Sequence, residues 1–263
     1  MSITSKIRAA VAGTCAALVG AALLASAGLP ASAETPFPAD KAACVVSGKV
    51  AFKGKAPGRD EIVMDSKPEC KALHGDKKTL TESVVVNENG TLANVFVYVK
   101  EGLENYKFEI PKTPAVLDQE GCVYKPHVIG VMVGQPLEVR NSDPLAHNVH
   151  KLGGANPEIN ISQATKGVKN EVVFKAAEVF APFKCDVHGW MTSYVAVVDH
   201  PVFAVTNDKG EFTLPKLPPG KYTIAAKHET GKEYTAEITI ADGEAAKAVN
   251  FEFARKDLKV GAK

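Results

Sequence analysis

Apolar residues along the chain fall in short runs of Val, Ile, Phe and Tyr, each bounded by Gly, Pro, Asn or Asp. Runs of that length, closed by turn formers, predict the strands of an all-β sandwich. They cover 45–52, 83–86, 94–99, 136–140, 171–174, 194–198, 211–214, 222–228, 234–240 and 249–253. Helix is scarce: the best stretch, 68–75, gives roughly two turns before Gly75 and Asp76 stop it. Residues 205–214 predict a hairpin, with Asn207-Asp208-Lys209-Gly210 as its turn and Gly210 accepting positive φ. A further strand, turn and strand follow at Leu217-Pro218-Pro219-Gly220-Lys221-Tyr222, where two prolines forbid pairing and Gly220 reverses the chain.

The first 33 residues break this pattern. Lys6 and Arg8 lead into an uncharged Ala/Leu/Val stretch that ends in Ala31-Ser32-Ala33, the form of a signal peptide cleaved before Glu34. The stretch is Ala-rich and marginal in length for a membrane anchor, and no other segment is apolar enough to span a bilayer. The expected location is periplasmic or secreted, in an oxidising compartment.

Composition then removes one class of partner. The leader carries two of the 31 basic residues and none of the 30 acidic ones, so the remainder is close to neutral. Without a basic stripe to displace condensed counterions, nucleic acid is not an expected partner. The charges of Arg255, Lys256, Asp257 and Lys259 read as a solvated tail over 255–263. Four cysteines follow the leader, Cys44, Cys70, Cys122 and Cys185, too few to build a scaffold of this length from disulfides.

The run Asp208-x-Gly210-x-Phe212, followed by Leu217-Pro218-Pro219-Gly220-Lys221-Tyr222-Thr223, resembles the carboxypeptidase regulatory-like domains, small transthyretin-like sandwiches. The family's opening strands resemble Ser47-Gly48-Lys49-Val50 and Ala93-Asn94-Val95-Phe96-Val97-Tyr98-Val99, far upstream. The resemblance implies a sandwich split in sequence, over 40–113 and 200–254, with a separate domain at 114–199 inserted between its halves.

That inserted region holds the chemistry. Cys185-Asp186-Val187-His188-Gly189-Trp190-Met191 places a thiolate, an imidazole and a thioether within seven residues, just before a strand. A His2Cys set with a weak axial Met suits copper, whereas structural zinc takes Cys and His only and haem attachment needs C-x-x-C-H. The second imidazole comes from the run Gly134 to Val149, a strand, a turn at Asn141-Ser142-Asp143-Pro144, and His147 at the entry to the next strand.

"VGQPLEVRNSDPLAHNV" resembles the first-ligand segment of plastocyanins and related cupredoxins, and "FKCDVHGWM" their second-ligand loop in the short spacing of amicyanin-like members. Over about 115–199 the resemblance implies a Greek-key cupredoxin β-sandwich with one mononuclear copper held by His147, Cys185, His188 and Met191. It implies that Asn148 ties the two ligand loops together. It also implies that the outer edge of His188 reaches the surface among Pro144, Leu145, Gly189 and Trp190.

Other residues are weighed against that set. His150 lies an odd number of positions after His147 on one strand and faces the opposite side, as a surface or neighbouring histidine. His127 has no donor-type neighbour in sequence and reads as a strand-end histidine. In an oxidising compartment a Cys70–Cys122 disulfide between the outer sandwich and the inserted domain is the natural expectation, with Cys44 as the odd thiol, although the sequence leaves the pairing of the three open. Cys70-x3-His74 offers only two donors for any second metal. Four filled positions leave copper no open site, so the expected function is one-electron transfer, not enzymatic, with an unidentified redox partner protein. Copper carriage or storage in the envelope, with the outer sandwich as a docking module, is the alternative.

Overall fold

The computed structural model describes residues 35–259, and the leader expected over 1–33 lies outside them. The regular structure of the described residues is almost entirely strand, arranged as β-sandwiches, with Pro68–Ala72 as their α-helix. Two sheets are drawn wholly from residues 115–198. One has the order Ile159–Gln163, His147–Lys151, Glu178–Lys184, Thr192–Val198, Val128–Met132. The other runs Lys169–Val173, Pro136–Asn141, Ala115–Gln119, Tyr124–Lys125.

Two further sheets join residues from both sides of that stretch. Phe203–Val205, Phe96–Glu101, Gly220–Lys227 and Glu233–Ile240 make one. In the other, Val45–Lys53 pairs with Glu211–Thr213, Ala246–Ala248 and Phe251–Ala254.

Three apolar cores lie between these four layers. Leu117, Leu137, Val139 and Val172 meet Val131, Val149, Phe183, Val195 and Val197 in the first core. Val46, Val50, Phe212 and Phe253 meet Val97, Val99, Ile224 and Ala226 in the second. The third joins the two halves: Phe96, Tyr98 and Ala225 pack on Ala196 and Val198. Successive strand residues point to opposite faces. Phe96–Glu101 and Thr192–Val198 therefore feed two cores at once, and their apolar runs are continuous where a half-exposed strand would alternate.

The predicted strand at 83–86 is absent; Val86 makes an isolated bridge to Leu92 and the rest is bend and loop. The helix is one short turn, followed by turns to His74 and Gly75. Met64 and Cys70, which the sequence places in the outer sandwich, are buried in the core formed by the two sheets of residues 115–198. The last described residues are tied back as well: Leu258 is buried and bridges Gly231, and the Asp257 carboxylate accepts from the Ala254 amide.

Candidate metal centre

The centre forms where two loops at one end of the five-stranded sheet come together. His147 is the first residue of His147–Lys151, whose partner Glu178–Lys184 ends one residue before Cys185. The loop from Cys185 closes on itself, with Met191 N–H donating to His188 O at 2.9 Å and Cys185 N–H to Met191 O at 3.3 Å. This turn points Cys185 and His188 inward toward His147.

Three donor atoms converge there. His147 Nδ1 lies 3.0 Å from His188 Nδ1, and Cys185 Sγ lies 3.6 Å from His188 Nδ1 and 4.0 Å from His147 Nδ1. The residues are 1%, 2% and 3% exposed for His147, Cys185 and His188. Met191, at 1%, is buried in the same core.

Charge is set by the surroundings. Burial alone would push the Cys185 thiol up, but His147, His188 and the Asn148 amide outweigh it and hold the thiol down to about 6. Burial would likewise lower His147, yet the Asp143 carboxylate and the Cys185 sulfur hold it up to about 9. Asp143 Oδ2 lies 2.9 Å from His147 Nε2. Its carboxylate also accepts from the amides of Gly121 and Cys122, each at 2.7 Å. Burial works against the charged Asp143, and these donors still keep its carboxyl below the ordinary range. With Nε2 bound to a carboxylate, His147 is left presenting Nδ1 toward the other two donors.

Asn148 does join the loops. Its amide N–H points at Cys185 Sγ at 3.5 Å, its Oδ1 accepts from Asp186 N–H at 2.5 Å, and its Nδ2 donates to Asp186 Oδ2 at 3.0 Å. Tyr124 adds a second tie, its hydroxyl reaching Asn148 O and Lys184 O, each at 3.0 Å.

No protein-family model matches this chain, and no curated protein does. Solved structures similar to part of it include a copper-containing nitrite reductase from Thermus scotoductus SA-01, at 17% identity and TM-score 0.31 over 38% of this chain. This chain spans 25% of that protein's length. A variant of amicyanin in its Cu(I) form is 23% identical, with TM-score 0.30, over 34% of this chain and 86% of the other. A purple cupredoxin from Nitrosopumilus maritimus is 22% identical, with TM-score 0.28, over 32% of this chain and 98% of the other. Likeness of this degree leaves the centre to be judged by its own donors.

The other histidines stand apart from it. His150 is held by Asp186 at 2.8 Å and Glu158 at 3.0 Å, on the outer side of the strand. His127 Nε2 lies 2.5 Å from the carboxylate of Glu229, a buried ion pair between the two halves of the molecule. His127 and Glu229 line, with Trp190 and Met191, a cavity of about 220 Å³. The exposed imidazole edge implied by the resemblance is not seen: His188 is buried, and Trp190 packs on it at 5.3 Å while donating Nε1–H to Cys122 O. Cys122 is bonded to Cys70, and Cys44 is free and buried.

Sequence reasoning missed two residues of the site. Asp143 was legible only as a turn former; its place four residues before His147, inside a tight turn, is the signal that could have marked it. Cys122 carries no such local signal, because tertiary packing brings it beside the histidines.

Proposed function

We propose that this chain is an exported type 1 copper protein that carries one electron, with His147, Cys185 and His188 as strong ligands and Met191 as the axial one. The observation that carries this reading is the convergence of two imidazole Nδ1 atoms and one cysteine sulfur in a buried site. That donor set fits the metal: a buried thiolate needs a counter-charge, and imidazole with thiolate is a soft to borderline set that suits copper. When bound, copper supplies a one-electron couple.

The chain's own residues do the rest. Asp143 and the Asn148 network fix the donors before any metal arrives, which limits rearrangement between oxidation states. Burial of all three donors leaves no position for a substrate, which supports a carrier over an enzyme. A redox partner protein is implied by a carrier. The leader-like 1–33 supports a periplasmic or secreted location. We further propose that residues 114–199 form the cupredoxin domain and that 40–113 with 200–254 form the transthyretin-like one.

One experiment decides the centre. Copper-loaded protein is expected to show intense visible thiolate-to-copper absorption and the narrow hyperfine splitting of a type 1 site in spin resonance, both lost in Cys185→Ser and kept in Cys44→Ser. Colour that survives Cys185→Ser overturns the ligand set. Rapid loss of copper to a chelator, without a reversible couple, would favour carriage or storage.

A further inference from the structure

The disulfide does not lie at a distance from the centre. The sulfurs of Cys70 and Cys122 and a ring nitrogen of His188 all lie within 4.8 Å of one another. Donor atoms of Cys122, Asp143 and His147 meet the same limit, so the Cys122 sulfur flanks both histidines. Both sulfurs are fully buried.

Their positions do not depend on the S–S bond alone. Cys122 has left-handed backbone, φ 50, which a non-glycine residue keeps only where its surroundings fix it. Here Asp143 accepts the Gly121 and Cys122 amides, and Trp190 Nε1–H donates to Cys122 O. Cys70 sits on Pro68–Ala72, and His74 just beyond that helix bonds Gly121 O through Nε2 at 2.7 Å. Thr79 holds the other ring nitrogen of His74 at 3.0 Å. Two independent contacts therefore keep the cysteine pair together and beside His188 when the covalent link is gone.

We propose that Cys70, Cys122 and His188 make a second, latent soft-metal site, closed as the disulfide and opened by a thiol or phosphine reductant. A phosphine takes the disulfide to two thiols and is itself converted, with one water, to its oxide. Binding Cu(I) then replaces the two thiol protons, giving two thiolates and one imidazole, a soft set that suits Cu(I). The segment 54–79, which holds Cys70, contributes no sheet strand and one isolated bridge, so local opening there admits the reductant without breaking a sheet ladder.

The site goes beyond the proposed carrier and does not need the first metal, so it is tested with and without Cys185. Full-length wild type and Cys185→Ser, each oxidised or phosphine-reduced and desalted, are titrated anaerobically with Cu(I) against bicinchoninate. Reduction, verified by the appearance of two further thiols, is expected to add one tightly held Cu(I) in Cys185→Ser, where His188 is not engaged by the first metal. Cys44 is free in either state and drops out of the difference. The added equivalent is expected to vanish when Cys122→Ser or Cys70→Ser is combined with it. A gain in Cys185→Ser with no copper held by oxidised wild type would sink the carrier and leave the latent site standing. No gain on reduction of Cys185→Ser, a gain that persists without Cys122, or loss of the β-sheet circular dichroism on reduction would each overturn the proposal.

Discussion

Cys185 and His147 titrate against one another, and the sign of each shift sets where the metal-free protein is most stable. His147 rises from 6.5 to about 9, so its contribution is complete below 6.5 and lost as pH climbs through about 9. Cys185 falls from 9.0 to about 6, so its contribution is complete above 9.0 and lost as pH drops through about 6. Thiolate and imidazolium coexist between those limits. The melting temperature of metal-free protein is expected to peak in that window and to flatten in Cys185→Ser; a flat wild-type profile would refute the pairing. Asp143→Asn keeps the side chain's shape and removes the charge from His147 Nε2. Loss of such a partner costs 10–100-fold in metal affinity, and a less basic imidazole favours Cu(I). Chelator competition and voltammetry are expected to show weaker copper binding and a raised potential, whereas an unchanged potential would reduce Asp143 to a tether for the Gly121–Cys122 amides. The contrast between these residues shows what could be read in advance. Cys185, His188 and Met191 share one loop and announce themselves by spacing, while Asp143 and Cys122 act through contacts that only folding creates.

Strands followed the same division. Runs with a plain β signal, such as 234–240, reappear within a residue as Glu233–Ile240. Glu178–Lys184 was not legible, because Pro182 lies inside it and Phe180 takes φ 73 at a register shift. Ile159–Gln163 was hidden by its alternating Asn and Ser, which belong to an edge strand of the sheet. Val128–Met132 contains Gly130, a residue that weakens the strand signal, and the structure supplies the reason for it. A Cβ at Gly130 would stand 2.4 Å from the ring of Phe203 and 2.8 Å from that of Phe96, both from the neighbouring sheet. Gly130→Val is therefore expected to cost about 1–3 kcal/mol by overpacking. Urea unfolding measures it, and a neutral result would mean the two sheets separate without penalty.

At the scale of the molecule, the shared strands couple the centre to parts far from it. Thr192–Val198 begins one residue after Met191, lines the core around the centre with Val195 and Val197, and carries Ala196 and Val198 into the layer shared with Phe96 and Tyr98. The buried His127–Glu229 pair adds a second link between the same halves. Unfolding the copper end alone would expose that shared apolar layer and strip both partners of a buried charge, so the two halves are expected to melt as one unit. Copper bound only by the native state adds RT ln(1 + [L]/Kd), about 4 kcal/mol at a thousandfold excess over Kd. For a protein of this size each kcal/mol moves the midpoint by about 2–4 °C. Calorimetry is expected to show a single transition that copper shifts upward by roughly 10 °C without splitting it. Two transitions, with copper moving only one, would show that the shared layer does not couple the halves; no shift at all would show that the metal does not choose the native state.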